Sequence, residues 1–184
     1  MEYPMKTYIA LIRGINVGRQ NSISMKELIL IFESLGCQNV KTYINSGNVI
    51  FAGGAKNTPQ LSAGVGAEIK KRRGFEPHTL IIGIDELETA VANNPFRATE
   101  NDPKALHVGF LEKAPPKPDL KALEGFKRDG EQFRLIGKCF YLFAPDGVGR
   151  SALAAHAEKL LGVPMTDRNW RTVCTLLEMS KEKE

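Results

Sequence analysis

Cysteine, histidine and tryptophan are scarce in this chain: three, three and one in 184 residues. Cys37, Cys139 and Cys174 are odd in number, far apart and without Cys-x-x-Cys spacing. That argues against a disulfide framework or a zinc ribbon and fits buried thiols in a reducing compartment. His78, His107 and His156 each stand alone, with no second ligand two to four residues away, so neither a metal centre nor a cofactor is expected. Long apolar runs are missing too. Leu28–Phe32 is bounded by Lys26, Glu27 and Glu33, far short of the roughly 20 apolar residues of a membrane helix. The opening Met1-Glu-Tyr-Pro-Met-Lys lacks a basic n-region, and Tyr8–Ile12 is too short for the apolar core of a signal peptide. The expectation is a soluble, cytoplasmic protein. Nor does one sign of charge dominate: 25 Lys plus Arg stand against 21 Asp plus Glu, 10 against 8 up to Ala92 and 15 against 13 beyond it. Neither half is a polycationic arm.

What is present is a regular alternation of strand and helix patterns. Thr7–Arg13 reads as a strand with apolar residues on both parities, hence covered on both faces. Ser24 with Glu27 three residues on is a capping box ahead of a helix carrying Leu28, Phe32 and Leu35 on one stripe and stopped by Gly36. Val40–Ile44 and Asn48–Phe51 form a hairpin about Asn45-Ser46-Gly47. Thr58-Pro59 opens a second helix that ends at Gly74, and Leu80–Ile84 is a buried strand. This β-α-β-β-α-β order is the split arrangement of ferredoxin-like domains.

Beyond a short helix capped by Asp85 with Glu88, the second half reads as a partial repeat. Leu106–Leu111 is a strand, Asp119–Leu123 starts a helix ending near Gly125, and Glu131–Ile136 with Cys139–Phe143 form a hairpin at Gly137-Lys138. Gly149–Leu161 is a helix stopped by Gly162. Where the last strand belongs, Pro164–Trp170 shows no strand pattern, and Thr166 instead reads as the cap of a terminal helix whose first turn holds Arg168 and Asn169. The fold class expected is α+β, two ferredoxin-like halves (1–92 and 93–184) packed into one compact unit. Their uncovered apolar sheet faces must meet each other or a second chain.

Alternating strand directions place the segment Arg13–Asn21 beside Asn45–Asn48 at one end of the first sheet. Arg13, Asn16, Arg19, Gln20, Asn21, Asn45, Ser46 and Asn48 converge there without a carboxylate, next to the amides at the start of a helix. Guanidinium groups, planar amides and helix-start amides together suit a phosphate or another anion. Arg168 and Asn169, with Trp170 behind them as a core anchor, form a second candidate. Asn93–Arg97 reads as a helix exit with Phe96 buried, and Lys70–Arg73 as cations favoured by a helix C-terminus. The leading functional reading is a binding module for a phosphate-containing small molecule or a nucleic-acid backbone. One alternative is an enzyme acting on a phosphorylated metabolite, with Arg13 and Arg168 as charge clamps and His78 as the titratable group. Another is a structural protein that dimerises through its sheet faces, so both monomer and homodimer stay open.

Four stretches, Tyr8–Gly18, Tyr43–Phe51, Asn94–Phe96 and Thr166–Val173, resemble a bacterial family known as domain of unknown function one-six-nine-seven. The resemblance implies a compact α+β protein of two ferredoxin-like halves and brings no activity with it. That family often has a second glycine where this chain has Arg19, and an asparagine where it has Arg171. Both departures add positive charge near the candidate positions.

Overall fold

The computed structural model describes residues 5–18, 20–54, 57–99 and 101–182. The chain forms two compact units, one of residues 1–88 with 176–184 and one of residues 89–175. In the first unit, β1 (Lys6–Ile12), α1 (Met25–Ser34), β2 (Gln38–Tyr43), β3 (Asn48–Gly53), α2 (Thr58–Arg73) and β4 (Thr79–Gly83) follow one another. The strands lie in the order β2-β3-β1-β4, every pair antiparallel. Local chemistry accounts for the helix ends. Ser24 Oγ accepts the Glu27 amide at 3.1 Å, Asn57 Oδ1 accepts the Gln60 amide at 3.2 Å, and Gly74 closes α2 in the left-handed conformation.

Ala10, Ile12, Val49 and Phe51 meet Leu28, Ile31 and Phe32 of α1 and Val65 and Ile69 of α2 in one core, with the rings of Phe32 and Phe51 5.2 Å apart. Each fully buried Val, Leu, Ile or Phe among them contributes about 1.5–3 kcal/mol. On the other parity Ile9 and Leu11 are 0% exposed as well, which is why β1 lacks the polar alternation of a half-solvated strand.

α3 (Ile84–Ala92) starts directly from β4, and the chain passes into the second unit along it. Its start is held by Glu86, whose Oε2 accepts the Gly83 amide at 3.0 Å. The second unit then repeats the first: β5 (Leu106–Leu111), α4 (Leu120–Phe126), β6 (Gln132–Ile136), β7 (Cys139–Phe143), α5 (Ala152–Leu161) and β8 (Met165–Asn169). The last helix, α6 (Trp170–Lys181), starts in the second unit, and from Leu176 its residues belong to the first. The strand order, β6-β7-β5-β8, is that of the first sheet. Leu111, Leu123, Phe140, Leu142, Leu153, Ala157 and Leu161 form its core. The fold is thus α+β with two ferredoxin-like halves.

Two expectations from the sequence are corrected in this half. The repeat is complete, because Met165–Asn169 pairs with β5 from Leu111 back to His107. Thr166-Asp-Arg-Asn has no apolar alternation, since an edge strand takes its conformation from the ladder to its neighbour and needs little burial pattern of its own. Thr166 is therefore a buried strand residue, and the helix cap is Asn169, whose Oδ1 accepts the Thr172 amide at 2.9 Å. The second correction concerns α5, which begins at Ala152. Val148–Arg150 make a single tight turn, and Ser151 Oγ caps the helix by accepting the Ala154 amide at 3.0 Å. Among the described residues no helix is long and apolar enough to cross a membrane.

Candidate functional site at the rim of the first sheet

Main-chain bonds build the rim before any side chain takes part. The register sets Leu11 against Asn48 and Ile12 against Thr79, so the exit of β1, the turn between β2 and β3 and the entry to β4 lie at one end. The Ile12 amide donates to the Gly47 carbonyl at 2.8 Å and the Arg13 amide to the His78 carbonyl at 2.9 Å. Gly47 has φ 76°, and a Cβ there would lie 2.6 Å from the Ile12 oxygen. Glycine is needed at this point for both backbone angle and close approach.

Side chains then knit the loops together. Asn16 Nδ2 donates to the Ile23 carbonyl at 2.9 Å and to Oδ1 of Asn45 at 3.1 Å, while Asn16 Oδ1 accepts the Ile23 amide at 2.9 Å. Asn21 Nδ2 donates to the Gly14 carbonyl at 3.1 Å. Asn48 is fully buried and donates to the Tyr43 carbonyl at 3.2 Å and to Ser46 Oγ at 2.9 Å. The amides of Asn16 and Asn48 are thus engaged inside the chain and set the shape of the rim. Arg13, Asn45 and Ser46 remain exposed on it, beside Val17 at 71% and Ile44 at 53% exposure. Ile44 adopts φ 49°, a left-handed conformation costly for a β-branched residue. Arg19 lies outside the described residues.

The surroundings correct the expectation of a carboxylate-free helix start. Glu27 occupies the first turn of α1, and Arg73 at the end of α2 donates to both of its oxygens, through Nε at 3.0 and 2.9 Å. The bond from Arg73 holds the Glu27 carboxyl below its ordinary pKa. The other cations at the end of α2 are engaged as well, Lys70 with Glu76 at 3.0 Å and Arg72 with Glu68 at 3.4 Å. His78 joins the rim through its carbonyl, and its ring Nδ1 is enclosed.

The second candidate pair lies in the second unit, on β8 and not in a helical turn. Arg168 is partly buried, with Nη1 donating to the Asp167 carbonyl at 2.8 Å. Burial pushes its guanidinium down to about 10 against the pull of Asp167, so it stays cationic at neutral pH. Asn169 is occupied as the cap of α6, and Trp170 is 4% exposed. In the Asn93–Arg97 stretch the buried side chain is Asn94, whose Oδ1 accepts the Phe96 amide at 3.0 Å, while Phe96 is half-buried.

The family described as "Protein of unknown function (DUF1697)" matches residues 5–141, a span that includes both rim loops. The chain belongs to this family. In the DUF1697 chain the stretch Thr166–Val173 lies beyond the matched span. Among solved structures, the chain is similar to the conserved bacterial protein SP0830 from Streptococcus pneumoniae, with 26% identity and a TM-score of 0.71 over 97% of this chain and 100% of that one. None of the curated proteins compared with it matches. Among the described residues, no group of three or more His, Cys, Asp or Glu side chains could hold a metal ion. One polar pair in this DUF1697 protein has no signal in the local sequence. His107 Nδ1 lies 2.7 Å from Asp167 Oδ2, across 60 residues of chain, and no local spacing announces it.

Proposed function

We propose that the rim of the first unit, residues 13–18 with 44–46, is a recognition surface for a small phosphate-bearing ligand such as a nucleotide. The observation that carries this reading is the Asn16 clip. It ties the two loops through Asn45 at 3.1–3.2 Å and so presents Arg13, Asn45 and Ser46 from a fixed frame instead of from independent loops. A preorganised guanidinium and amide lose little entropy on meeting an anion. A left-handed Ile44 supports the same reading, since strained residues kept at exposed positions cluster at ligand contacts. Charge supports a small ligand: among the described residues, the cations Lys70, Arg72 and Arg73 at the end of α2 are engaged by Glu76, Glu68 and Glu27 and are not set out to track a polymer backbone.

Calorimetry with a panel of nucleotides and short oligonucleotides tests the proposal. Nucleotide affinity should fall about tenfold to a hundredfold in the Arg13→Ala, Asn45→Ala double variant, the loss expected for a charge-assisted hydrogen bond. Lys138→Ala, on the corresponding turn of the second unit, should leave it unchanged. Equal affinity in the wild type and the double variant would remove the site. Preferential oligonucleotide binding with a steep salt slope would replace the small ligand by nucleic acid.

A further inference from the structure

The second sheet contains a titratable group that the rim does not use. His107 on β5 is 8% exposed and lies on the face of the sheet that carries Leu111 and Leu142 toward α4 and α5. Both ring nitrogens face oxygen: Nδ1 meets Asp167 Oδ2 of β8 at 2.7 Å, and Nε2 meets the Lys104 carbonyl, just before β5, at 3.0 Å. A neutral imidazole has one N–H, so it serves one of these acceptors and leaves the other facing a lone pair; the imidazolium serves both. The geometry points to His107 as a protonation-dependent clasp, an imidazolium that fastens the edge strand β8 to β5 and slackens when the ring loses its proton.

The clasp has a defined load. β8 pairs with β5 alone, and its last residue, Asn169, stands directly opposite His107 and caps α6. A tie at Asp167 therefore steadies both the end of the strand and the start of the helix. Asp167 is the charged side chain that acts on the ring among the described residues. On β7 the residue opposite is Leu142, and the α5 carboxylate that reaches this sheet, Glu158, is bonded to the Met165 amide at the far end of β8. Burial pulls the ring pKa down, but the hydrogen bond and charge of Asp167, with the Lys104 carbonyl, outweigh it and leave it above the ordinary 6.5. A folded-state pKa raised in this way stabilises the fold fully below the unfolded value and loses that contribution as pH rises through the folded one. The first unit has no counterpart, because the positions matching His107 and Asp167 there are Tyr8 and Ile81.

The experiment is a pH titration of the intact protein. Long-range proton–nitrogen correlation should show both His107 nitrogens protonated on the acid side of a midpoint that lies above the ordinary 6.5. In parallel, hydrogen exchange of the Asp167–Asn169 amides, corrected for intrinsic base catalysis, should accelerate about tenfold relative to β4 as the ring titrates, the scale of one lost charge-assisted bond. Asp167→Asn should bring the midpoint to 6.5 or below. His107→Gln should make exchange in β8 independent of pH. A midpoint at or below 6.5, or a ring that titrates with no change in β8 relative to β4, overturns the clasp, and both readings come from the wild type even where a variant fails to fold.

Discussion

The two units share one way of closing the end of the sheet. In the first, the amides of Ile12 and Arg13 reach the carbonyls of Gly47 and His78; in the second, those of Leu111 and Glu112 reach Lys138 and Pro164. Around the same bonds the side chains diverge. The first unit adds a long loop folded back by Asn16 and Asn21, both left-handed, and leaves Arg13 exposed. The second places Glu112 at the matching position, followed by Pro115, Pro116 and Pro118, and reaches α4 without an amide network among its described bonds. The main chain sets what closes a ferredoxin-like sheet, while the specialised chemistry sits in residues that closure does not require. The rim of one unit and the His107 clasp of the other are two such additions.

The comparison breaks first at the hairpin glycines. Gly47→Ala should cost about 3 kcal/mol in urea unfolding, because a positive φ and a Cβ set 2.6 Å from the Ile12 oxygen act together. Gly137→Ala, at φ 58° with nothing within 4 Å of the added Cβ, should cost about 1 kcal/mol. Equal losses would mean that the turns are built alike. Next, Asn16→Ala removes bonds to Ile23 and Asn45 and should cost about 2 kcal/mol; it should also speed proteolysis within residues 13–23, with the 112–119 segment unchanged. Asn169→Ala, losing the cap of α6, should cost about 1 kcal/mol. The smallest effect has the opposite sign. Ile44→Asn relieves a left-handed β-branched residue and should raise stability by roughly 0.5–1 kcal/mol while weakening ligand binding at the rim. A gain in stability with binding intact would leave Ile44 without a part in recognition.

Much of the fold can be read from local pattern. The capping residues Ser24 and Asp119, the stops at Gly74 and Gly162, and the hairpins at Ser46-Gly47 and Gly137-Lys138 lie where their chemistry places them. β8 is the exception, since Thr166-Asp-Arg-Asn becomes a strand through its ladder with β5, a partner more than 50 residues away in sequence. The candidate site is legible as a location, because strand direction alone brings Arg13 and Asn45 to one rim. Which amides face outward is not legible. Asn16, Asn45 and Asn48 are the same residue type in similar turns, and their hydrogen-bond partners decide that Asn16 and Asn48 turn inward.

By itself the sequence determined the order and ends of most elements, the pairing of two similar halves and the rim where polar loops meet, since these follow from periodicity, capping and turn geometry within a few residues. Tertiary structure decided that Thr166–Asn169 is a strand, that Glu27 reaches Arg73, and that His107 lies between Asp167 and the Lys104 carbonyl. Each of those outcomes is a contact whose partner is chosen by how strands and helices pack, and no local spacing encodes it.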